Sequence, residues 1–416
     1  MIFNKKNFKD LSLLSSSEGL SLLIVFLTLP FISRIYDPAD FGNFEKYVVV
    51  VGIVANLCLL NFEFKIYNFS TKKDQTLSIV TCLIFTTLFS SLFFCFGFIV
   101  TNFLTSNLLF SFEIVFLVFL WLVFVSLANI TLSYFSSFGN FKKYSIIRLF
   151  STLVLVCTQI VLGLLEFKFY GFIYAIIFQN IFISIFGFFP IYKQTVSFIN
   201  QFSFKDIFKH IKNNKYIVMF TFPGSLVNRL TQSLPIFFLA SFNPIYLGYY
   251  SFGSQLLNYP LKLFNGLSNM FKKEFNDEIR ISKTYRETFN KYLKVFSIIS
   301  ILLLTGTLFL SDILVPVIFG EKWTQAIPII KILSVMVSIR FIVASLSPVL
   351  LIGNLPRYDI VFQLLYLVLS LSFIIIGKEI FNSHLAIIIS YIISSIIFYI
   401  FYFFVMRFFS KRTFKI

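Results

Sequence analysis

Apolar runs of about twenty residues recur from one end of this chain to the other, and that recurrence limits its fold more than any other feature. A helix of that length crosses roughly 30 Å of hydrocarbon, and a helix satisfies all of its own backbone polar groups there. Of 416 residues, 58% are hydrophobic and 13% charged, where a soluble globule carries about 25% charged residues. The runs, broken by charged or Gly/Pro-rich junctions, place helices at 11–32, 47–62, 76–100, 108–132, 146–165, 171–191, 216–240, 248–270, 295–317, 326–350, 358–377 and 384–406. The chain reads as an all-α membrane protein with twelve transmembrane helices and no water-soluble domain.

Lys and Arg near helix ends resist translocation, so their distribution sets the orientation. Of the 35 basic residues, 25 fall on the side of the N-terminus and 5 on the other side: Arg34, Lys46, Lys168, Lys322 and Lys378. Both termini are therefore expected in the cytoplasm. The net charge of +17 is spread over many loops, which suits anionic lipid headgroups as partners and not nucleic acid. Residues 197–215 carry Phe204, Ile207, Phe208 and Ile211 at helical spacing with Lys205, Lys209 and Lys212 on other faces, the pattern of a helix lying in the membrane interface. The first apolar run is too long for a signal-peptide core and lacks a small-residue cleavage site, so it stays as the first helix. Four cysteines without CxxC spacing and two histidines point to neither disulfides nor metal, and no cofactor-binding motif is present.

Two places repeat at half the chain length. Asp37-Pro38 followed by Gly42 and Phe44 matches Asn243-Pro244 followed by Gly248 and Tyr250, and Gly139-Asn140 with Tyr144 matches Gly353-Asn354 with Tyr358. Each pair joins corresponding helices on one side of the membrane, which predicts two parallel six-helix units. The expected organisation is one lobe at 1–191, an amphipathic linker at 192–215, a second lobe at 216–406 and a basic tail at 407–416.

Polar side chains within a bilayer belong in a bundle interior or a wet cavity. The eighth helix carries Gln255, Asn258, Lys262, Asn265 and Asn269 on one face, and the seventh carries Ser225, Asn228, Arg229, Gln232 and Ser233. Amides and hydroxyls alone could serve as interhelical glue, but glue needs no cation. Arg229 and Lys262 therefore point to a hydrated cavity, with Arg340 of the tenth helix a further candidate. Glu18, among Ser15, Ser16, Ser17, Gly19 and Ser21, reads either as a coupling-ion site or as a buried partner for an Arg. Pro223, Pro235, Pro260 and Pro348 bend their helices.

Three segments carry a resemblance. Arg34 to Gly42 resembles the R-x-x-x-P-x-x-[FY]-G junction of the polysaccharide transport family, the Wzx-type O-antigen and capsule repeat-unit flippases. Gly248-Tyr249-Tyr250 through Pro260 resembles that family's opening of the eighth helix, and Pro316 to Trp323 followed by Ala326 its hFGxxW…A segment. The resemblance runs along the whole chain. It implies the fold of the multidrug/oligosaccharidyl-lipid/polysaccharide exporters, two six-helix lobes around a central cavity that opens alternately to either side. It implies as substrate an undecaprenyl-diphosphate-linked oligosaccharide, flipped across the inner membrane, with a polysaccharide polymerase and a chain-length regulator as protein partners. Many relatives carry an acid in the seventh helix where this chain has only Arg229, which leaves the coupling ion open.

On this reading the protein is a transporter and not an enzyme. Arg229, Lys262 and Arg340 would meet the diphosphate, Asn228, Gln232, Gln255, Asn258 and Asn265 the sugars, and Glu18 a coupling ion. A multidrug exporter of the same superfamily is the nearest rival, although cationic drugs call for an acidic cavity. A polymerase or ligase would need a large outer loop, which the spans leave no room for.

Overall fold

The computed structural model describes residues 5–67, 69, 71–101, 111–137, 141–199, 203–264, 268, 271, 274, 275, 278, 286–347 and 356–410. Its elements are helical: α1 Lys5–Ile35, α2 Pro38–Leu59, the short α3 Glu63–Tyr67, α4 Lys72–Ile99, α5 Phe112–Ser137, α6 Phe141–Leu164 and α7 Phe169–Ile199. There follow the surface helix α8 Phe204–Asn213, then α9 Phe222–Ala240, α10 Pro244–Lys262, α11 Arg286–Leu314, α12 Ile327–Leu346, α13 Pro356–Phe381 and α14 His384–Ser410. Among the described residues, ten helices are long and apolar enough to cross a membrane, so this is a multi-pass membrane protein. Those criteria identify ten spans and not twelve: α9 and α10, 19 residues each, carry the two polar stripes and do not meet them.

Helix starts follow capping chemistry more closely than hydropathy. The second helix begins at Pro38, nine residues before the expected position, because Pro at the first helical position costs no hydrogen bond and presets φ. The Asp40 carboxylate accepts from the Asp37 N–H at 3.1 Å. Likewise α10 begins at Pro244, where the Asn243 side chain accepts from the Ile245 N–H at 2.9 Å. Ser203 and Asp206 form a capping box at the start of α8. Phe208 of α8 is 74% exposed, while Ile211 packs on the core of the first unit.

The chain divides into two compact units, Met1–Val25 with Tyr47–Leu226, and Phe26–Lys46 with Val227–Ile416. In the first unit α5 packs on α4 and α7, and α6 on α7. A core of Leu59, Phe62, Ile66, Ile79, Cys82 and Ile130 seats α3. His210 of α8 approaches Ser78 Oγ at 3.0 Å, and burial depresses its pKa. Glu63 of α3 is also drawn inside, its pKa pushed up to about 7 by burial, and its Oε2 has no hydrogen-bond partner among the described residues.

In the second unit α13 packs on α14 and α12 on α11, α10 and α14. Here the first sequence repeat becomes geometry. A Cβ on Gly42 would collide with the Pro244 carbonyl, and one on Gly248 with the Pro38 carbonyl. The two helix starts thus cross at a reciprocal glycine contact. The second match, Gly139-Asn140 with Gly353-Asn354, lies outside the described residues.

The family-like segments meet at the same place. Trp323, fully buried, donates its Nε1–H to the Ser33 carbonyl at 2.9 Å and stacks on Phe252 with ring centroids 4.1 Å apart. Arg34 donates to the carbonyls of Val317 at 2.8 Å and Ile318 at 3.3 Å. These belong to the π-turn Val315–Phe319, whose carbonyls need such donors. Lys322 bridges the Arg34 carbonyl and the Asp37 carboxylate at 3.1 and 3.0 Å.

Candidate functional site

The polar stripe of α10 faces α12 in the second unit. Asn258 and Lys262, four residues apart on one face, line a cavity of about 190 Å³ together with Arg340, Ser268 and Ser345. Arg340 donates from Nη2 to Asn258 Oδ1, and Asn258 Nδ2 donates to the Ser254 carbonyl at 2.6 Å. Arg340 also bonds Tyr399 and lies within electrostatic reach of Tyr250, Tyr366 and Tyr391. Tyrosines of α10, α13 and α14 thus gather around the guanidinium, and Tyr399 hydrogen-bonds it. Lys262 has its ammonium 5.3 Å from the Tyr259 ring centroid, a cation–π distance. Two cations and an amide line one small cavity, an arrangement whose chemistry suits an anion bearing several oxygens.

One turn farther along, α10 carries a hydrogen-bonded row. Tyr259 OH donates to Gln255 Oε1 at 3.4 Å, Gln255 Nε2 to Ser251 Oγ at 3.3 Å, and Ser251 Oγ to Glu45 Oε2 at 2.7 Å. Glu45 in turn interacts with Arg229 of α9. Tyr250 lies in electrostatic reach of both Glu45 and Arg340.

The remaining stripe residues divide between glue and open positions. Ser225 accepts from Asn56 and Asn61 at 3.1 and 2.8 Å within the first unit, which is interhelical glue. Gln232 donates to Asn228 at 3.0 Å along α9, and the Gln232 side chain is exposed. Asn265 and Asn269 lie outside the described residues, as does Pro348. Glu18 is exposed and accepts from Tyr144 OH at 3.0 Å in the first unit; its observed partner is a phenol, not an Arg. Lys331 pairs with Asp312 at 2.6 Å and so is a bridged residue.

Sequence reasoning missed Glu45 and the tyrosines. With the second helix expected from residue 47, Glu45-Lys46 read as loop; the Pro38 cap was the signal that places Glu45 two turns inside α2. Among the described residues no group of three His, Cys, Asp or Glu side chains stands together to hold a metal.

Comparison with known proteins gives the following. A family model described as polysaccharide biosynthesis protein matches residues 31–328, more than half of the chain. The teichuronic acid biosynthesis protein TuaB of Bacillus subtilis is 28% identical over 145 residues, which are 34% of this chain and 30% of that relative's length. Among solved structures, an inward-facing multidrug resistance MATE family transporter of the MOP superfamily superposes with TM-score 0.68 at 12% identity, covering 95% of this chain and 99% of its own. The lipid II flippase MurJ superposes with TM-score 0.67 at 16% identity, covering 93% and 87%. The fold is therefore that of these transporters.

Proposed function

From the chain's membership of the polysaccharide biosynthesis protein family, we propose that it flips undecaprenyl-diphosphate-linked oligosaccharide repeat units of an O-antigen, capsule or related polysaccharide. The head crosses the inner membrane by alternating access, with residues 1–191 and 216–406 as the two lobes, 192–215 as linker, and both termini in the cytoplasm. A sugar-diphosphate head is too polar to enter hydrocarbon alone, whereas its polyprenyl tail can stay in lipid while the head passes through a wet cavity.

The observation that carries this reading is the cavity of Lys262, Arg340 and Asn258. Charge-assisted hydrogen bonds to phosphate oxygens are about twice as strong as neutral ones, and a dianionic diphosphate satisfies both cations. Arg229 supplies a further cation, Gln255, Asn228 and Gln232 amides for sugar hydroxyls, and Glu18 a group for the coupling ion. Export of cationic drugs, the reading a MATE-like fold also suggests, would set like charges against this cavity.

Deleting the gene in its host tests the proposal. Surface polysaccharide should fall and the full-length lipid-linked repeat unit accumulate on the cytoplasmic leaflet, both restored by the wild-type gene but not by Arg340→Gln. Normal surface polysaccharide without accumulation would overturn it.

A further inference from the structure

A second, larger hollow of about 480 Å³ lies on the other face of α10. Its α10 wall is Leu257, Pro260 and Leu261, with Phe264 just beyond the helix, and its α11 wall is Ile299, Leu303, Gly306 and Leu310, which fall on one helical face at spacings of four, three and four. The size is that of a ligand pocket, and the lining is almost wholly apolar. Leu302, 66% exposed, and Leu310, 48% exposed, stand along it, so the hollow opens to the flank that faces lipid.

Two details make it more than a gap between helices. Gly306 sits mid-helix in α11, where glycine costs about 1 kcal/mol relative to alanine. An added Cβ there would meet nothing within 4 Å, so no neighbouring backbone requires the glycine. What its absent side chain leaves is a clear floor to the groove. Leu261, in turn, lines both this hollow and the cavity of Asn258, Lys262 and Arg340. One side chain separates an apolar groove open to lipid from a cationic pocket.

We propose that the groove between α10 and α11 seats the first isoprene units of the substrate's polyprenyl tail while its diphosphate rests on Lys262 and Arg340. This inference rests on the flippase reading and adds where the tail goes. An apolar groove gains nothing by preferring one hydrocarbon over bulk lipid, since lipid tails are as apolar as leucine. The preference comes from the tether: a head held by charge in the adjacent pocket keeps its own tail at high effective concentration beside the groove. The tail then stays lateral to the bundle as the head moves.

The test uses the full-length protein in lipid nanodiscs, with undecaprenyl diphosphate and inorganic pyrophosphate as probes. Gly306→Phe fills the groove without a backbone clash, and Gly306→Leu fills it partly should the larger side chain impair insertion. The expected result is a loss of affinity of about tenfold for undecaprenyl diphosphate with pyrophosphate binding unchanged, while Lys262→Gln with Arg340→Gln weakens both. Undecaprenyl diphosphate bound equally by the Gly306 variants, but lost with the double Gln variant, would overturn the groove and leave the flippase reading intact. Displacement of bulk lipid alone from the groove would overturn it equally. Failure of the wild type to bind either probe would sink both readings.

Discussion

Ser251 Oγ donates to Glu45 Oε2 at 2.7 Å across 206 positions of sequence, the offset that also separates Pro38 from Pro244 and Gly42 from Gly248. Equivalent positions of the two matching segments carry a carboxylate in one and a hydroxyl in the other, and the two bond one another. The carboxylate also lies in electrostatic reach of Arg229, which joins that cation to the polar stripe of α10.

The pair should show in a double-mutant cycle. Ser251→Ala leaves a partly buried carboxylate short of a donor and should cost about 1–3 kcal/mol. Once Glu45→Gln has removed the charge, the same change should cost less. Thermal unfolding in detergent measures both, and additive effects would mean that the contact is not made.

Gly42→Ala and Gly248→Ala should each destabilise by about 1–3 kcal/mol, because each Cβ meets a backbone carbonyl that cannot turn aside. Their reciprocity predicts similar losses. Gly306→Ala is the control: open space and better helix propensity predict no loss, and up to about 1 kcal/mol of gain. Melting temperatures of the three variants settle the order.

Trp323→Phe should lose about 1–3 kcal/mol, since the Ser33 carbonyl would remain buried without its donor. Arg34→Lys should lose less, because one ammonium can still reach one of the two π-turn carbonyls. A Trp323→Phe protein as stable as wild type would remove the segment Pro316–Trp323 from its structural role.

Glu63 makes stability depend on pH. Its folded pKa of about 7 lies above the ordinary carboxylate value, so the folded state holds the proton more tightly than the unfolded one. Stability should be greatest below about pH 4.5 and fall, by on the order of 1–3 kcal/mol, as pH rises to about 7. Glu63→Gln should raise the melting temperature at pH 8 and leave it nearly unchanged at pH 4.5.

What the sequence made legible was whatever local chemistry fixes. Apolar runs mark helices because hydrocarbon leaves the backbone no other partner, and the spacing of Asn258 and Lys262 puts both on one face wherever α10 sits. Helix starts were less legible, because apolarity is a property of segments while a start is set by one proline and one cap. That hid Glu45. The company of Arg340 was not legible at all: Tyr250, Tyr366, Tyr391 and Tyr399 come from three helices, and only tertiary packing brings them to one guanidinium. The fate of Ser225 was equally hidden, since nothing local says that Asn56 and Asn61 meet it.

The role proposed for the cavity of Lys262, Asn258 and Arg340 is to carry the diphosphate of a lipid-linked sugar. Its most direct test is the rate at which purified protein in proteoliposomes flips a fluorescent undecaprenyl-diphosphate-linked oligosaccharide. Wild type should flip it, and Arg340→Gln should slow flipping by about tenfold or more, the loss expected when charge-assisted bonds to phosphate are removed. Flipping by Arg340→Gln at the wild-type rate, with the protein correctly inserted, would rule out that role for the cavity.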